Sequence, residues 1–235
     1  MTKLLITPTL LNSFAFYTQE IEYKSEEEQR QEFLQTLKRV KSEPTEAMQK
    51  GIDFEDDIKL YCETNRLVPS EAIRDKRFFW KGGYLDATNS KEYTDLNNKF
   101  NDYLDVIIPI ANIVKGGLWQ QTCKKSLQVG NKEFLLYGKM DVIKRDTIYD
   151  IKFTDNYELG KFLDSSQHLI YLYCTGLPKF QYLISDGEDY WIEDYYNHAN
   201  IENEIKSKIS DFLGYLENDK EAKEMFETKW ISKQN

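Results

Sequence analysis

The sequence predicts a mixed α/β fold of the α+β kind, in which helices pack on a partly antiparallel central sheet. Helical patterns dominate the first part of the chain, and alternation of apolar and polar residues dominates its middle. Two turn signals, Gly130-Asn131 and Arg145-Asp146, separate three successive strand-like segments. The middle of the chain is therefore expected to form a three-strand antiparallel meander.

The first half of the chain is expected to be largely helical. Pro44 suits the start of the longest helix, in which one apolar stripe is formed by Ala47, Met48, Ile52 and Ile58. Residues 66–90 have the composition of strands and turns, and an insertion is expected at about 66–115. The predicted helices are Leu10–Tyr23, Glu26–Lys41, Thr45–Asn65 and Glu92–Val114, the last interrupted near Pro109.

The second half of the chain is expected to supply the sheet. The predicted strands are Trp119–Val129, Phe134–Lys144, Thr147–Phe153, Phe180–Ser185 and Tyr190–Tyr195. Helices are predicted at about Glu158–Cys174 and Ile201–Leu216, before the C-terminal tail. A chain of 235 residues has ample size for one core, so residues 1–235 are expected to form a single domain.

Composition narrows the class of protein. The chain is 40% hydrophobic and 14% aromatic, which favours a packed globule over a disordered chain. Cys62, Cys123 and Cys174 are scattered and lack a Cys-x-x-Cys pair, so they exclude a zinc knuckle and indicate no disulfide framework. No apolar run approaches the length of a membrane span, and no leader pattern opens the chain. A cytoplasmic protein without a membrane partner is expected.

Two carboxylates and a lysine are expected to meet on the last two strands of the meander. Gly138-Lys139-Met140-Asp141 precedes Asp150-Ile151-Lys152 across the second turn. Side chains alternate faces along a strand, so Asp141, Asp150 and Lys152 can share one face of the hairpin. The apolar residues Phe134, Leu136, Met140 and Val142 are expected to share one face of their strand, opposite Lys139 and Asp141, whereas Tyr149, Ile151 and Phe153 oppose Asp150 and Lys152.

Such a pair of carboxylates predicts a bound cation. At about 4 Å and an effective dielectric constant of about 20, two carboxylates repel by about 4 kcal/mol. Mg²⁺ or Mn²⁺ is the natural counter-charge, because hard divalent cations prefer oxygen ligands. The alternative is chance: Asp-x-Lys is common in a chain that is 30% charged, and such a pair often ends a strand at the solvent.

The Thr45–Asn65 helix carries a candidate for a third acidic residue, Glu55, which only the family resemblance given below assigns to the site. Gly51 and Glu55 lie four residues apart and so share a helix face. A glycine inside a helix costs about 1 kcal/mol relative to alanine, which suggests that another backbone approaches closely at Gly51. The alternative is a solvated acidic face formed by Asp53, Glu55, Asp56 and Asp57.

Gln167 and Tyr171 also project from one face of a predicted helix, because they lie four residues apart. An amide in so apolar a helix needs a partner, which favours a functional role for Gln167. Tyr171 has an equally good structural interpretation as a core residue. His168 points about 100° away from Gln167 and is interpreted as incidental.

This ordered set of motifs resembles the PD-(D/E)xK nuclease superfamily, most closely its RecB-like and lambda-exonuclease-like branch. The resemblance covers about residues 45–185 and rests on Gly51-x-x-x-Glu55, Gly138-x-x-Asp141, Asp150-x-Lys152 and Gln167-x-x-x-Tyr171. It implies a restriction-endonuclease-like core with helices on both sides of the sheet, and a site that uses Mg²⁺ or Mn²⁺. The implied metal ligands are Glu55, Asp141, Asp150 and the backbone carbonyl of Ile151. Lys152 would act on the attacking water, while Gln167 and Tyr171 would position the substrate strand or the lysine.

The function that the resemblance implies is a metal-dependent deoxyribonuclease, an exonuclease of phage or bacterial recombination or repair. Its partner would be DNA with ends, single- or double-stranded. Endonuclease action and RNA as substrate stay open, as does a homo-oligomer, since lambda-type enzymes form rings. Three cysteines fall short of the four that hold an iron–sulfur cluster in some RecB-like exonucleases, so none is expected.

Net charge argues against a broadly basic nucleic-acid surface. The chain has a formal charge of −9, so basic side chains must act locally. The candidates are Lys124, Lys125, Lys139 and the segment 74–81. The run from Arg77 to Tyr84 mixes aromatic and basic residues and suits either stacking on unpaired bases or a buried strand and turn. A non-cleaving nucleic-acid-binding module and an acidic interaction protein with accidental motifs are the alternative functions.

Overall fold

The computed structural model describes residues 3–19, 24–40, 43–65 and 103–232. Within these ranges the predicted mixed α/β fold is confirmed: six strands form one mixed sheet, and seven helices pack on it. The predicted strand-and-turn segment 66–90, the start of the helix after it, and the basic-aromatic run 77–84 lie outside the described residues. None of the described helices is both long and apolar enough to cross a membrane.

The helices follow the chain in two groups. The first group is α1 (Pro8–Tyr17), α2 (Glu26–Lys38), α3 (Glu46–Thr64) and α4, which includes residues 103–114. The second group is α5 (Ser166–Thr175), α6 (Ile201–Asn218) and α7 (Lys220–Lys229). Capping side chains fix several of these boundaries: Thr7, Ser25, Thr45 and Ser165 each accept a hydrogen bond from a backbone N–H of the first turn.

The strands are β1 (Leu4–Ile6), β2 (Leu118–Val129), β3 (Lys132–Lys144), β4 (Thr147–Phe153), β5 (Lys179–Ser185) and β6 (Tyr190–Tyr196). The predicted meander is confirmed, since β3 pairs antiparallel with both β2 and β4. The positive φ angles of Gly130 (58°) and Arg145 (56°) form its two tight turns. β4 then pairs parallel with β5, and β5 pairs antiparallel with β6.

One edge of β3 is shared by two different strands. β2 pairs along β3 from Lys132 to Ile143 and so occupies the first edge. β1 pairs parallel with residues 134–136, and β4 pairs with residues 142–144, both on the second edge. Between these two partners, residues 137–141 of β3 have no strand partner on that edge among the described residues. The sheet therefore contains a notch, bounded by β1, β3 and β4.

Apolar cores lie on both faces of the sheet. The larger core joins α1, α2 and α5–α7 to the sheet residues Phe134, Leu136, Met140, Ile148, Phe180, Tyr182 and Ile184. The smaller core joins α3 and α4 to Val142, Ile151 and Leu183. At about 25 cal/mol per Å² of buried apolar surface, these two cores are the main source of stability. The notch lies between these two cores, beside Met140 of the larger core and Val142 of the smaller one.

The structure corrects several predicted elements. α1 and α2 end earlier than expected, at Tyr17 and Lys38. The expected helix from residue 158 begins only at Ser166, where Ser165 caps it. Residues 103–114 are helical through Pro109 without interruption. Beyond the predicted Ile201–Leu216 helix, the C-terminal tail contains a further helix, α7.

The predicted apolar stripe of α3 is wrong in part. The bounds of the helix agree with the prediction, but Met48 is 60% exposed and Ile52 is 45% exposed. Ile58 of the predicted stripe is buried, and it packs in the smaller core together with Phe54, which the predicted stripe did not include. Phe54 also contacts Phe153 of β4 edge to face, with ring centroids 5.4 Å apart. This contact orients α3 across the notch.

His168 provides a test of the packing on the larger-core face. Its ring is 4% exposed and stacks on Tyr195 with centroids 4.0 Å apart. Burial, together with the nearby charges of Lys208 and His198, lowers the pKa of His168 to about 3. A histidine whose pKa is lower in the folded than in the unfolded state stabilises the fold above about pH 6.5, and that contribution is lost as the pH falls towards 3.

We therefore expect His168→Phe to flatten the acid side of the stability profile. The free energy of unfolding of the parent protein should fall by up to about 1.4 kcal/mol per pH unit more than that of the variant between pH 6 and pH 4. Urea denaturation at several pH values measures this difference. His198→Gln is the control, because it removes only the smallest of these contributions to the lowered pKa of His168 and should change the profile far less than His168→Phe does. Parallel profiles for parent and His168→Phe would contradict the assigned environment.

Candidate active site

Asp141 lies at the end of the notch, where the regular alternation of β3 breaks. Met140 packs in the larger core and Val142 in the smaller one, although a regular strand would place both on one face. The prediction that Phe134, Leu136, Met140 and Val142 share a face is thus right for the first three and wrong for Val142. Opposite Asp141 on β2, Gln120 has a positive φ of 55° and is not paired with a residue of β3. This irregularity at Gln120 and Asp141 rotates β3, so that the residues on either side of Asp141 face opposite cores.

The turn of the strand directs the Asp141 carboxylate towards β4. Asp141 Oδ2 accepts a hydrogen bond of 2.9 Å from the backbone N–H of Ile151. The N–H and C=O of one strand residue point to the same side, so the Ile151 carbonyl also faces the notch. The Ile151 side chain meanwhile packs in the smaller core. The side chain of Asp141 thus replaces the strand pairing that is missing here.

Asp150 and Lys152 lie on the larger-core side of β4. Asp150 is only 1% exposed, and its Oδ2 lies 2.6 Å from Lys152 Nζ. That oxygen nevertheless accepts no hydrogen bond of regular geometry, whereas Oδ1 accepts one from the Gln167 amide. The Lys152 side chain is 31% exposed and reaches solvent. Asp150 and Lys152 share a face, as predicted, and both Lys152 and Gln167 contact the Asp150 carboxylate.

The start of α5 positions Gln167. Ser165 caps the helix, and the Asn12 side chain of α1 accepts a hydrogen bond of 2.7 Å from the backbone N–H of Ser166. Asn12 also donates to Ser165 Oγ at 3.1 Å. The first turn of α5 is thereby held in place, with the Gln167 amide directed at Asp150. The sequence gives no sign of the role of Asn12, because its partners lie far away along the chain.

Tyr171 acts on the backbone of β3 and is buried in the larger core. Its hydroxyl donates a hydrogen bond of 2.7 Å to the carbonyl of Lys139, inside the unpaired stretch of the strand. Its ring lies against Gly138, where an added Cβ would lie 2.1 Å from a ring atom. Gly138 therefore permits the close approach of Tyr171. Tyr171 supports the strand that leads into Asp141 and makes no hydrogen bond to Asp141 or Asp150.

Glu55 reaches the same notch from the other face, on α3. It is half-buried, and its Oε1 accepts a hydrogen bond from the Gln120 side chain. Gln120 is a site residue that the sequence interpretation missed, since neither its φ angle nor its partner has a sequence signal. The expected close approach of a backbone at Gly51 is absent among the described residues, where nothing lies within 4 Å of an added Cβ.

The four acidic residues at positions 53–57 of α3 do not form a solvated face, which was the alternative interpretation of this helix. Asp53 and Asp57 are buried, and only Asp56 of the four is exposed. Asp57 accepts a hydrogen bond of 2.8 Å from the Tyr103 hydroxyl, and Asp53 accepts one of 2.7 Å from Gln49. The bond to Asp57 therefore joins α3 to α4, whereas the bond between Gln49 and Asp53 lies within α3.

The three carboxylates influence one another electrostatically. Burial raises the pKa of Asp141 well above its ordinary value, and the charges of Asp150 and Glu55 raise it further. Burial and the charge of Asp150 also raise the pKa of Glu55. Burial lowers the pKa of Lys152, but the charges of Asp150 and Asp141 outweigh it and the pKa is raised. The notch therefore combines excess negative charge with one lysine, which is the environment that attracts a cation.

The oxygen ligands in the notch suit a Mg²⁺ or Mn²⁺ ion that keeps several bound waters, rather than an ion enclosed entirely by protein ligands. Among the described residues, no three or more His, Cys, Asp or Glu side chains converge closely enough to hold a metal ion. Their carboxylate oxygens instead bond to Ile151, Gln167 and Gln120. Mg²⁺ commonly binds through one or two carboxylates and keeps several waters. Asp141, Asp150 and the Ile151 carbonyl supply such oxygens, and the buried Asp150 Oδ2 lacks a regular hydrogen bond.

Comparisons with known proteins assign neither a family nor a function. No protein-family model and no curated protein matches the chain. A solved structure described as "Crystal structure of SSO0001" aligns over 52% of this chain at 16% identity, with a TM-score of 0.36. The alignment spans 63% of that chain, which is less than two thirds of its length.

The contact between Gly138 and Tyr171 predicts opposite effects for two glycine-to-alanine changes. Gly138→Ala should lower the free energy of unfolding by about 1–3 kcal/mol, because the new methyl group collides with the Tyr171 ring. Gly51→Ala should raise it by up to about 1 kcal/mol, because the space is open and alanine favours the helix. Urea denaturation of the two variants measures both effects. Equal stability of Gly138→Ala and the parent would show that Tyr171 does not pack as described.

Proposed function

We propose that the notch is the active site of a metal-dependent deoxyribonuclease of the PD-(D/E)xK type. The observation that carries the proposal is that Asp141, Asp150 and Glu55 lie close enough at one break in the sheet for their charges to act on one another, with Lys152 paired to Asp150. An acidic interaction protein with accidental motifs predicts that these carboxylates do not converge. The absence of a metal-holding cluster among the described residues favours that alternative, whereas the influence of the carboxylates on one another's pKa favours a shared site. The ordered motifs resemble the RecB-like and lambda-exonuclease-like branch, which favours an exonuclease of recombination or repair.

The role of each side chain follows from its position. Asp141, Asp150 and the Ile151 carbonyl would hold Mg²⁺ or Mn²⁺, with Glu55 binding it directly or through water. When bound, such an ion lowers the pKa of a water molecule and neutralises charge on a phosphate. Lys152 forms an ion pair with Asp150 and reaches solvent, so it can orient the attacking water and balance negative charge on the phosphate.

Gln167 and Tyr171 support this arrangement in different ways. Gln167 fixes one oxygen of Asp150, which leaves Oδ2 directed towards Lys152. Tyr171 fixes the β3 backbone two residues before Asp141. Gln167 thus positions Asp150, a proposed metal ligand, and Tyr171 positions strand β3.

DNA with ends is the substrate that we propose, in spite of the net charge of −9. Lys139 is exposed on β3 close enough to Glu55 to affect its pKa, and Lys124 is exposed on β2. Lys125 is tied to α5, where its Nζ lies 3.1 Å from the Tyr173 carbonyl. These lysines would contact DNA phosphates locally, whereas the acidic remainder of the surface would repel the phosphates. A cytoplasmic location and the absence of an iron–sulfur cluster belong to the same proposal.

The principal alternative is a nucleic-acid-binding module that does not cut. The hydrogen bonds from Ile151, Gln167 and Gln120 to the carboxylates favour it, because they satisfy these groups within the protein. The filled acidic and lysine positions favour the enzyme, since binding alone does not need buried carboxylates. Activity assays separate the two.

The first expected result concerns cleavage. Purified protein should degrade linear DNA in Mg²⁺ or Mn²⁺ and stop when EDTA removes the metal. Closed circular DNA of the same sequence should survive if the enzyme needs an end, and gel electrophoresis of both substrates measures this. Binding of DNA without cleavage under all metal conditions would favour the module. Metal-independent cleavage would exclude the proposed mechanism.

The second expected result separates the ligands from the lysine. Asp141→Asn and Asp150→Asn should each remove most of the Mn²⁺ affinity together with the activity. Lys152→Ala should keep Mn²⁺ binding but lower turnover, because lysine acts on water and phosphate. Calorimetric titration of Mn²⁺ into each variant measures the binding. Asp56→Asn is the matched control, since Asp56 is an exposed acid on α3 and should bind the metal normally. Loss of Mn²⁺ binding in Lys152→Ala would refute this division of roles.

A further inference from the structure

Two cysteines far apart in the sequence meet behind the notch. Cys123 of β2 pairs across the sheet with Gly138, the residue against which the Tyr171 ring lies. Cys174 follows Tyr171 by three residues on α5 and so lies on the same face of that helix. The larger core includes buried Cys123, with Cys174 packed against it. The fold therefore brings the two side chains together.

Independent contacts fix the spacing of the two segments. Lys125, two residues after Cys123, donates to the Tyr173 carbonyl at 3.1 Å and lies 3.8 Å from the centre of the Tyr173 ring. The two thiols are also close enough to interact, and this interaction lowers the pKa of Cys123 and raises that of Cys174. Cys62, the remaining cysteine, lies on α3, where its thiol donates to the Ala111 carbonyl at 3.4 Å. Only Cys123 and Cys174 are thus placed to react with each other.

We infer that Cys123 and Cys174 form a reversible intramolecular disulfide that ties β2 to the C-terminal end of α5. Both thiols are free in this structure. The bridge would lie beside the contact between Gly138 and Tyr171, because Cys123 pairs with Gly138 and Cys174 follows Tyr171 by three residues. That contact supports the strand that leads to Asp141. Oxidation would thereby restrain α5 against the sheet beside the notch, and the inference stands whether or not the notch cleaves DNA.

Hydrogen peroxide is the oxidant that suits this pair, because it is small enough to reach a largely buried sulfur. The Cys123 thiolate attacks one peroxide oxygen, the O–O bond breaks, and a sulfenic acid forms with release of hydroxide. The Cys174 thiol then attacks the sulfenic sulfur, so that the S–S bond forms and water leaves. In total, two thiols are oxidised, one peroxide is reduced, and two waters are released. A dithiol reductant reverses the bridge by thiol–disulfide exchange.

The test uses the full-length protein treated with a small excess of hydrogen peroxide, alkylated with iodoacetamide and digested without reduction. Mass spectrometry should find one linkage, between the peptides that contain Cys123 and Cys174, with Cys62 alkylated. The oxidised monomer should melt several degrees higher than the reduced one, because the bridge closes a long loop, and dithiothreitol should reverse the shift.

Two variants control for the identity of the pair. Cys62→Ser should form the same linkage and show the same melting shift. Cys174→Ser should show neither, and Cys123→Ser provides the reciprocal check if Cys174→Ser folds poorly. A linkage that includes Cys62, dimers joined through disulfides, sulfinic products in place of a bridge, or three unmodified thiols would each overturn the inference.

Discussion

The interruption of strand pairing along β3 is the constraint on which the site depends. β1 and β4 share one edge of β3 and leave residues 137–141 without a strand partner there among the described residues. Backbone groups freed in this way need other partners. The Tyr171 hydroxyl bonds to the Lys139 carbonyl, and the Asp141 carboxylate bonds to the Ile151 N–H. The same break allows α3 and α5, on opposite faces, to direct Glu55 and Gln167 into one notch.

This arrangement opposes stability locally. An acid whose pKa is higher in the folded than in the unfolded protein destabilises the fold above its unfolded pKa, and Asp141 and Glu55 are both of this kind. The cost is offset by the two apolar cores, which hold the sheet from both faces. Functional sites commonly depart from what stability alone would favour. The mutual repulsion of these carboxylates is therefore the best physical reason to assign a role to the notch.

Local signals made much of the fold predictable. Turn residues at Gly130 and Arg145 located the meander, and the bounds of α3 follow its caps, Thr45 and Asn65. Long-range effects were not predictable: β1 has only three residues and is defined by its pairing with β3. The irregular backbone at Asp141, which separates Met140 from Val142, likewise depends on Gln120 across the sheet. Periodicity also predicted that Met48 and Ile52 are buried and missed Phe54, because the spacing of apolar residues does not show which stripe of a helix packs on the sheet.

The central claim is that the carboxylates of the notch bind one divalent cation. A crystal structure of the protein soaked in Mn²⁺ tests it most directly, because anomalous scattering locates manganese without reference to activity. We expect one anomalous peak in the notch, bound by the carboxylates of Asp141 and Asp150 and by the Ile151 carbonyl. Glu55 should bind it directly or through water. A Mn²⁺-soaked crystal in which these groups keep their present hydrogen bonds, with no peak between them, would contradict the account.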